Sequence, residues 1–176
     1  NAVSIAHHAG ALGGIGGSWS DVRSVGTKTS KGSESTGVIP FVKVVDAEML
    51  AFSQGVTRRG SYAVYLHMSH PEIEEFLDGR KPTGGDTNRK FINLHHGIVI
   101  PDAFMELIHR ATKEEGFDDS WNLKDPHTGK IVKTVSAKTL WVKLIQNRVE
   151  TGEPYIMFGD TVQEALPDRS EERRVG

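Results

Sequence analysis

No cysteine occurs among the 176 residues. That absence excludes a disulfide framework, a thiolate zinc site, an iron–sulfur cluster and any thiol chemistry carried by this chain itself, and it fits a reducing compartment. No apolar run approaches the ~20 residues of a membrane helix, and the start has no basic segment followed by an apolar stretch. Charge of either sign is scarcely in excess: the net value is −2 and the pI is near 6.5, so the chain has no general electrostatic pull toward nucleic acid or anionic lipid. The expectation is a soluble, cytoplasmic protein with locally defined partners, neither nucleic acid nor membrane among them. What is present is the composition of a folded domain, with 37% hydrophobic residues and 19 glycines. Asn1 stands first in place of Met and the chain closes on the charged run RSEERRVG, which predicts a section of a longer protein.

The first 37 residues are rich in Gly, Ser and Thr. They predict a short helix over 6–11, a tight glycine turn or close backbone approach at Gly13, Gly14, Gly16 and Gly17, an extended piece over 18–25, and a polar loop over 26–37. A loop of that length is more often functional than idle. From there the pattern is regular. Val42, Val45, Ala47, Leu50 and Ala51 stripe a helix over 38–52, with Pro40 in its first turn. A strand follows at 63–66. Ser69 and Glu72 have the spacing of a capping box, opening a helix that runs to Leu77 and closes at Gly79. A charged loop over 80–90 leads to a strand at 97–100, and Pro101 opens a helix with Phe104, Leu107, Ile108 and Ala111 on one face. Residues 121–132 form a hairpin around Asp125-Pro126-His127-Thr128-Gly129. Ser136 caps a helix carrying Leu140, Trp141, Leu144, Ile145 and Val149 and ended by Gly152, and 155–158 is a third buried strand. Strands alternating with helices predict an α/β fold with parallel strands.

Few residues declare chemistry by spacing. The glycine cluster lacks the Lys-Ser/Thr of a phosphate-binding P-loop, and Trp19 sits where G-x-G-x-x-G needs its third glycine. A packed turn and a close approach to a ligand both remain open for it. None of the histidine pairs, His7-His8, His95-His96 or His67 with His70, has the spacing of a metal motif; core or surface histidine is the better reading. Glu72, Glu74 and Glu75 sit in a first helical turn, where the macrodipole favours them. More unusual is 52–61, FSQGVTRRGS, in which two adjacent arginines lie between glycines: planar bidentate donors for phosphate or carboxylate on a loop free to change shape. A solvated basic turn is the plainer alternative.

The ordered series GGIGGSWSDVRSVGT (13–27), STGVIPF (35–41), FSQGVTRRGSYAVYLHMSHPEIEEFL (52–77), HHGIVIPDAFM (95–105) and ETGEPYIMFGD (150–160) resembles the large, catalytic subunit of ribonucleotide reductase. The likeness is nearest to class I, which works with a separate radical-generating small subunit; the cobalamin-dependent class II form and a non-catalytic nucleotide-binding module are the alternatives. The resemblance implies a ten-stranded α/β barrel of two half-barrels, of which residues 1–168 supply part of the first, with parallel strands and flanking helices. The remainder, 169–176, departs from the family pattern and is expected to be a non-native or disordered tail. It implies that Gly13, Gly14 and Gly16 lie against a ribonucleoside diphosphate substrate. Arg23 is then the phosphate contact for an ATP or dNTP effector at a specificity site, under a flexible loop in which Lys28 or Lys31 stands in for an arginine seen in relatives. Ser53, Gln54, Gly55, Arg58 and Arg59 form the second specificity loop, with Gln54 and Arg58 reporting the effector base and Arg59 as the alternative.

The same resemblance implies conversion of ribonucleotides to deoxyribonucleotides by radical chemistry in the complete subunit. No cofactor is bound by this segment. The radical is generated at a metal in the small subunit, thioredoxin or glutaredoxin supplies the reducing equivalents, and large subunits pair as homodimers. The redox cysteines, the radical cysteine and the finger-loop acid–base residues all fall outside these residues. An isolated chain of this kind is expected to be inactive and poorly stable.

Overall fold

A computed structural model of the chain describes residues 14–51, 53–54, 58–59 and 61–166, the two short pairs as backbone only. The helix expected over 6–11, Gly13, Gly55 and the 169–176 tail lie outside the described residues. In chain order the elements are β1 (Gly14–Ser18), α1 (Ile39–Ala51), β2 (Ser53–Gln54), β3 (Arg58–Arg59), β4 (Ser61–His67), α2 (Ile73–Asp78), a 3-10 turn (Thr87–Arg89), β5 (His95–Ile100), α3 (Asp102–Lys113), β6 (Ser120–Lys124), β7 (Ile131–Ser136), α4 (Ala137–Thr151), β8 (Tyr155–Phe158) and α5 (Gly159–Ala165). Most follow from the patterning. Ser136 Oγ accepts from Thr139 N at 3.1 Å at the start of α4, and Gly152 ends that helix in the left-handed region at φ 78°, the expected cap chemistry at each end.

β1, β4, β5 and β8 form one sheet in that order, and every adjacent pair is parallel. The α/β expectation with parallel strands therefore holds, as an open four-stranded sheet flanked by helices; the described strands do not close into a barrel. The register places Ile15, Tyr62, Val64, His96 and Ile98 on one face, and Tyr62, Val64, Leu66, His96, Ile98 and Ile100 are buried there. Phe76, Phe104, Leu140 and Leu144 from the helices complete this core. The other face carries Gly14, Gly16, Ala63, Tyr65, His95 and Gly97.

Five expectations need correction. The glycine run is no tight turn: Gly14–Ser18 is an edge strand paired with Ser61–Tyr65. Only the close-approach reading of it survives, since a Cβ on Gly17 would stand 2.5 Å from Tyr62 Oη. Of 18–25, only Ser18 belongs to a strand and the rest turns. The Ser69/Glu72 capping box does not form. Its helix starts at Ile73 with no side-chain cap, because the Glu72 carboxylate is drawn elsewhere: it accepts from Val38 N at 3.0 Å, at the start of α1. Burial raises its pKa above the ordinary value, against the hydrogen bonds from Val38 and Ile39. Gly37, at φ 85°, is the residue that lets this carboxylate come so close. Gly79 is likewise not a left-handed cap. Its φ is −59°, and it is glycine because the Phe91 ring occupies the space of a Cβ. Finally, β8 is not a buried strand but a sheet edge, with Tyr155 42% and Phe158 43% exposed.

One buried carboxylate joins β5 to the start of β8. Glu153, 7% exposed, accepts from His96 N at 3.1 Å, His96 Nδ1 at 3.2 Å and His95 Nδ1, and lies 3.3 Å from Arg80 Nε. Burial opposes its ionisation, but these donors outweigh that and hold its pKa at about 2. Burial in turn lowers the pKa of His96, against the pull of Glu153.

Candidate functional site

The loop after β1 is more ordered than its polar composition predicts. Residues 26–35 fold back as a ribbon, with Gly26 N donating to Ser35 O at 2.9 Å, Ser35 N to Thr27 O at 2.9 Å and Thr29 N to Ser33 O at 2.7 Å. Lys28 and Glu34 form its bridge, and Lys31 lies exposed near its tip. The base of the ribbon is held by Asp125, from the turn between β6 and β7. Oδ2 accepts from Ser24 N at 2.9 Å, Ser24 Oγ at 2.7 Å and Thr27 Oγ1 at 2.7 Å. Oδ1 accepts from His127 N at 3.1 Å, Thr128 N at 2.8 Å and Thr128 Oγ1 at 3.0 Å. Burial pushes this carboxyl up, but the bonds from Ser24, Thr27 and Thr128 prevail and hold its pKa well below the ordinary carboxylate range.

Between ribbon, β6–β7 turn and α1 lies a cleft of about 520 Å³ lined by Asp21, Arg23, Thr29, Glu34, Ser35, Phe41 and His127 among others. That volume falls within the usual span of small-molecule sites, roughly 300–1,000 Å³. Arg23 Nη2 lies 2.8 Å from His127 Nε2. A guanidinium has no lone pair to offer, so in this contact Arg23 donates and the imidazole nitrogen accepts. Arg23 Nε is buried with no partner among the described residues, and the His127 contact engages only Nη2, so a guanidinium that lines the cleft keeps further N–H donors for an anion. Hydroxyls and two carboxylates beside it suit a sugar, and the half-exposed Phe41 ring offers an apolar surface.

The sequence-predicted residues are thus distributed. Arg23 lines the cleft; Lys28 and Lys31 do not. Gly14 and Gly16 lie on the second face of the sheet, in register with Ser61 and Ala63. Ser53 pairs with Arg59 and Gln54 with Arg58 in a short antiparallel ribbon between α1 and β4. Of the histidines, His70 Nδ1 accepts from Glu72 N at 3.1 Å and Nε2 lies 3.0 Å from Val22 O, a structural role that matches the core reading. A second cleft, of about 660 Å³, borders the charged 80–90 loop. Most of its charges pair with one another, Arg89 with Glu75 and both Lys81 and Lys143 with Asp78, and Lys90 Nζ donates to Asp78 O at 2.9 Å.

Asp125, His127 and Phe41 were not legible as site residues. The DPHTG stretch reads fully as a turn. The one available signal is that its Asp brings two oxygens, more acceptors than the turn itself needs.

The fold is thus an open parallel α/β sheet with an arginine-bearing cleft just past the C-terminal end of its edge strand β1. The chain belongs to the ribonucleotide reductase barrel-domain family, whose pattern matches residues 1–174. It is 49% identical over 144 residues to the ribonucleoside-diphosphate reductase large subunit of Invertebrate iridescent virus 6, covering 82% of this chain and 15% of that one. Its counterpart in Invertebrate iridescent virus 3 is 38% identical over 181 residues, covering 76% and 29%. The ribonucleoside-diphosphate reductase subunit alpha of Chlamydia pneumoniae is 34% identical over 170 residues, covering 84% and 16%. The chain therefore spans between 15% and 29% of the length of these relatives. Among the described residues no helix is long and apolar enough to cross a membrane.

Proposed function

We propose that this chain is the substrate-floor and specificity-site portion of a ribonucleoside-diphosphate reductase large subunit, which converts ribonucleotides to deoxyribonucleotides by radical chemistry. The observation that carries the reading is Arg23, which lines a cleft among hydroxyls and an aromatic ring with Nη2 steadied by His127. The cleft takes an ATP or dNTP effector, its phosphate on Arg23. A ribonucleoside diphosphate lies over the second face of the sheet, where Gly14 and Gly16 keep the floor flat; Gly13, outside the described residues, is assigned to the same substrate by the family resemblance alone. The 53–59 segment, with Gln54 and Arg58 or Arg59, carries effector identity to the substrate base. A segment with two arrangements biased by a ligand is what such coupling requires, and typical coupling free energies of about 1–3 kcal/mol suffice to alter base choice.

A second large subunit covers the outer side of α1. Phe41, Val44 and Leu50 are each at least half exposed there while Ile39, Val42, Val45 and Met49 are buried. A helix apolar on both sides is one that packs on both sides, so the homodimer contact and the effector cleft share Phe41. With no cysteine in the chain, the reducing thiols and the radical cysteine come from elsewhere in the large subunit, the radical itself from a small subunit and the reducing equivalents from thioredoxin or glutaredoxin.

The test is made in the complete subunit: reduction of all four ribonucleotides is measured with each effector in Arg23→Ala and Arg58→Ala variants. Arg23→Ala is expected to lose effector response, and Arg58→Ala to lose effector-dependent substrate choice more than it slows unregulated turnover. An unchanged specificity pattern in both would sink the assignment.

A further inference from the structure

The cleft depends on a residue that lies behind it. Arg23 precedes Ser24, whose amide and hydroxyl both donate to Asp125 Oδ2, and the same oxygen takes Thr27 Oγ1. The opposite oxygen takes the His127 and Thr128 amides and the Thr128 hydroxyl. Six donors on one buried carboxylate tie the backbone on the C-terminal side of Arg23 to the β6–β7 turn, across 101 residues of sequence. The turn so fixed is also the one that presents His127 Nε2 to the Arg23 guanidinium at 2.8 Å. Asp125 thus sets both ends of the arginine, its main chain through Ser24 and its guanidinium through His127, while itself lining none of the cleft.

We propose that Asp125 is a positioning residue for anion binding in this cleft, holding Arg23 aimed at an effector phosphate that Asp125 never touches. The inference rests on the effector reading of the cleft given above. It differs from a general stabilising role in one respect: the whole effect on ligand binding passes through Arg23. Asparagine at position 125 is nearly the same shape, but whichever way its amide turns, an NH₂ group faces three donors and one end of the clamp opens.

The experiment is a double-mutant cycle in the complete large subunit, read as the dissociation constant of dTTP. Asp125→Asn is expected to weaken dTTP binding by ten-fold or more, and Arg23→Ala by at least as much. In the Arg23→Ala background, Asp125→Asn is expected to change binding by less than two-fold. Independent, multiplying effects would make Asp125 a merely structural residue and overturn the proposal, as would unchanged dTTP binding in Asp125→Asn. Unchanged binding in Arg23→Ala would overturn the reading of the cleft itself, and the proposal with it. Should Asp125→Asn fail to fold, the double variant Ser24→Ala/Thr27→Val removes the loop-side hydroxyl donors and keeps the carboxylate; the same cycle then applies, with the same outcomes.

Discussion

Glu153→Gln tests the physical account of how β5 and β8 are held together. The wild-type carboxylate, 7% exposed, is depressed from 4.5 to about 2 by the His96 and His95 rings, the His96 amide and Arg80, against the penalty of burial. A depression of that size corresponds to on the order of 3 kcal/mol favouring the folded state. Because the folded value lies below the unfolded one, the contribution is present in full above about pH 4.5 and is lost as pH falls toward 2. Glutamine retains one acceptor and turns an NH₂ toward donors, so most of the contribution is expected to vanish, about 2–3 kcal/mol at neutral pH. The assay is hydrogen exchange of the His96 amide, which donates directly to Glu153 Oε2. At pH 7 exchange in the variant is expected to be roughly 30- to 150-fold faster than in wild type. The ratio of variant to wild type cancels the intrinsic pH dependence of exchange. It should fall toward one between pH 4.5 and 2 as the wild-type carboxylate protonates. His96 acts in a separate window: burial lowers its pKa below 6.5, so its neutral form loses stability from pH 6.5 downward in both proteins. A ratio that stays constant from pH 5 to pH 2 would refute the carboxylate account.

Gly79→Ala places a methyl group where the Phe91 ring stands and is expected to lower stability by about 1–3 kcal/mol, seen as a reduced melting temperature; an unchanged one would mean that the ring moves aside freely. Ser136→Ala removes the acceptor for Thr139 N and the donor to Asp119 Oδ2; a loss of about 1–2 kcal/mol in denaturant unfolding is expected, and a neutral result would show the cap to be replaced by water. Val44→Lys puts a charge on the exposed apolar side of α1 and is expected to shift the complete subunit from dimer to monomer in sedimentation. An intact dimer would place the contact elsewhere.

The elements that could be read from sequence are those whose signal is local. Ser136 and Gly152 mark α4 because a cap is decided by one side chain or one φ angle, and Phe104 and Ile108 mark α3 because periodicity survives any tertiary context. The misreadings share the opposite property. Glu72 has the right spacing to cap its own helix, yet its carboxylate serves Val38, 34 residues away in sequence, and no local pattern encodes that choice. Gly79 resembles a left-handed cap in sequence, while its reason for being glycine is Phe91. The glycine run is read as a turn because glycine is commonest there; it is a strand because parallel pairing with Ser61–Tyr65 satisfies its backbone and Tyr62 leaves no room for a side chain beside Gly17. In the cleft, Arg23 was legible by resemblance. Asp125 was not, since its six bonds join segments whose separate sequences both read as ordinary loops.

These long-range contacts also constrain how the two candidate surfaces communicate. β1 presents Gly14 and Gly16 on the second face of the sheet, and the same strand leads through Trp19 to Arg23 in the cleft, with Trp19 N donating to Tyr65 O at 2.9 Å and Trp19 Nε1 to Tyr62 Oη at 3.1 Å. His67 N donates to Ser20 Oγ at 2.9 Å, so the turn after β1 is fastened to β4 on one side and to Asp125 on the other. A segment held at that many points is a poor switch, because a packed and hydrogen-bonded element resists graded displacement. In the function proposed above, effector identity is therefore carried by a different segment, residues 53–59. Residues 53–54 and 58–59 pair with each other and lie in sequence between α1, which borders the cleft through Phe41, and β4, which pairs with Gly14 and Gly16 of β1. On that proposal the β1 side sets where ligands sit and residues 53–59 set which pairs of ligands are compatible. Substitutions at Asp125 should accordingly change effector affinity for every base alike, whereas substitutions at Gln54 or Arg58 should reorder base preference at nearly constant affinity. Measuring dTTP, dGTP and dATP affinities alongside substrate preference in both sets of variants separates the two roles, and a base-selective effect at Asp125 would contradict the division.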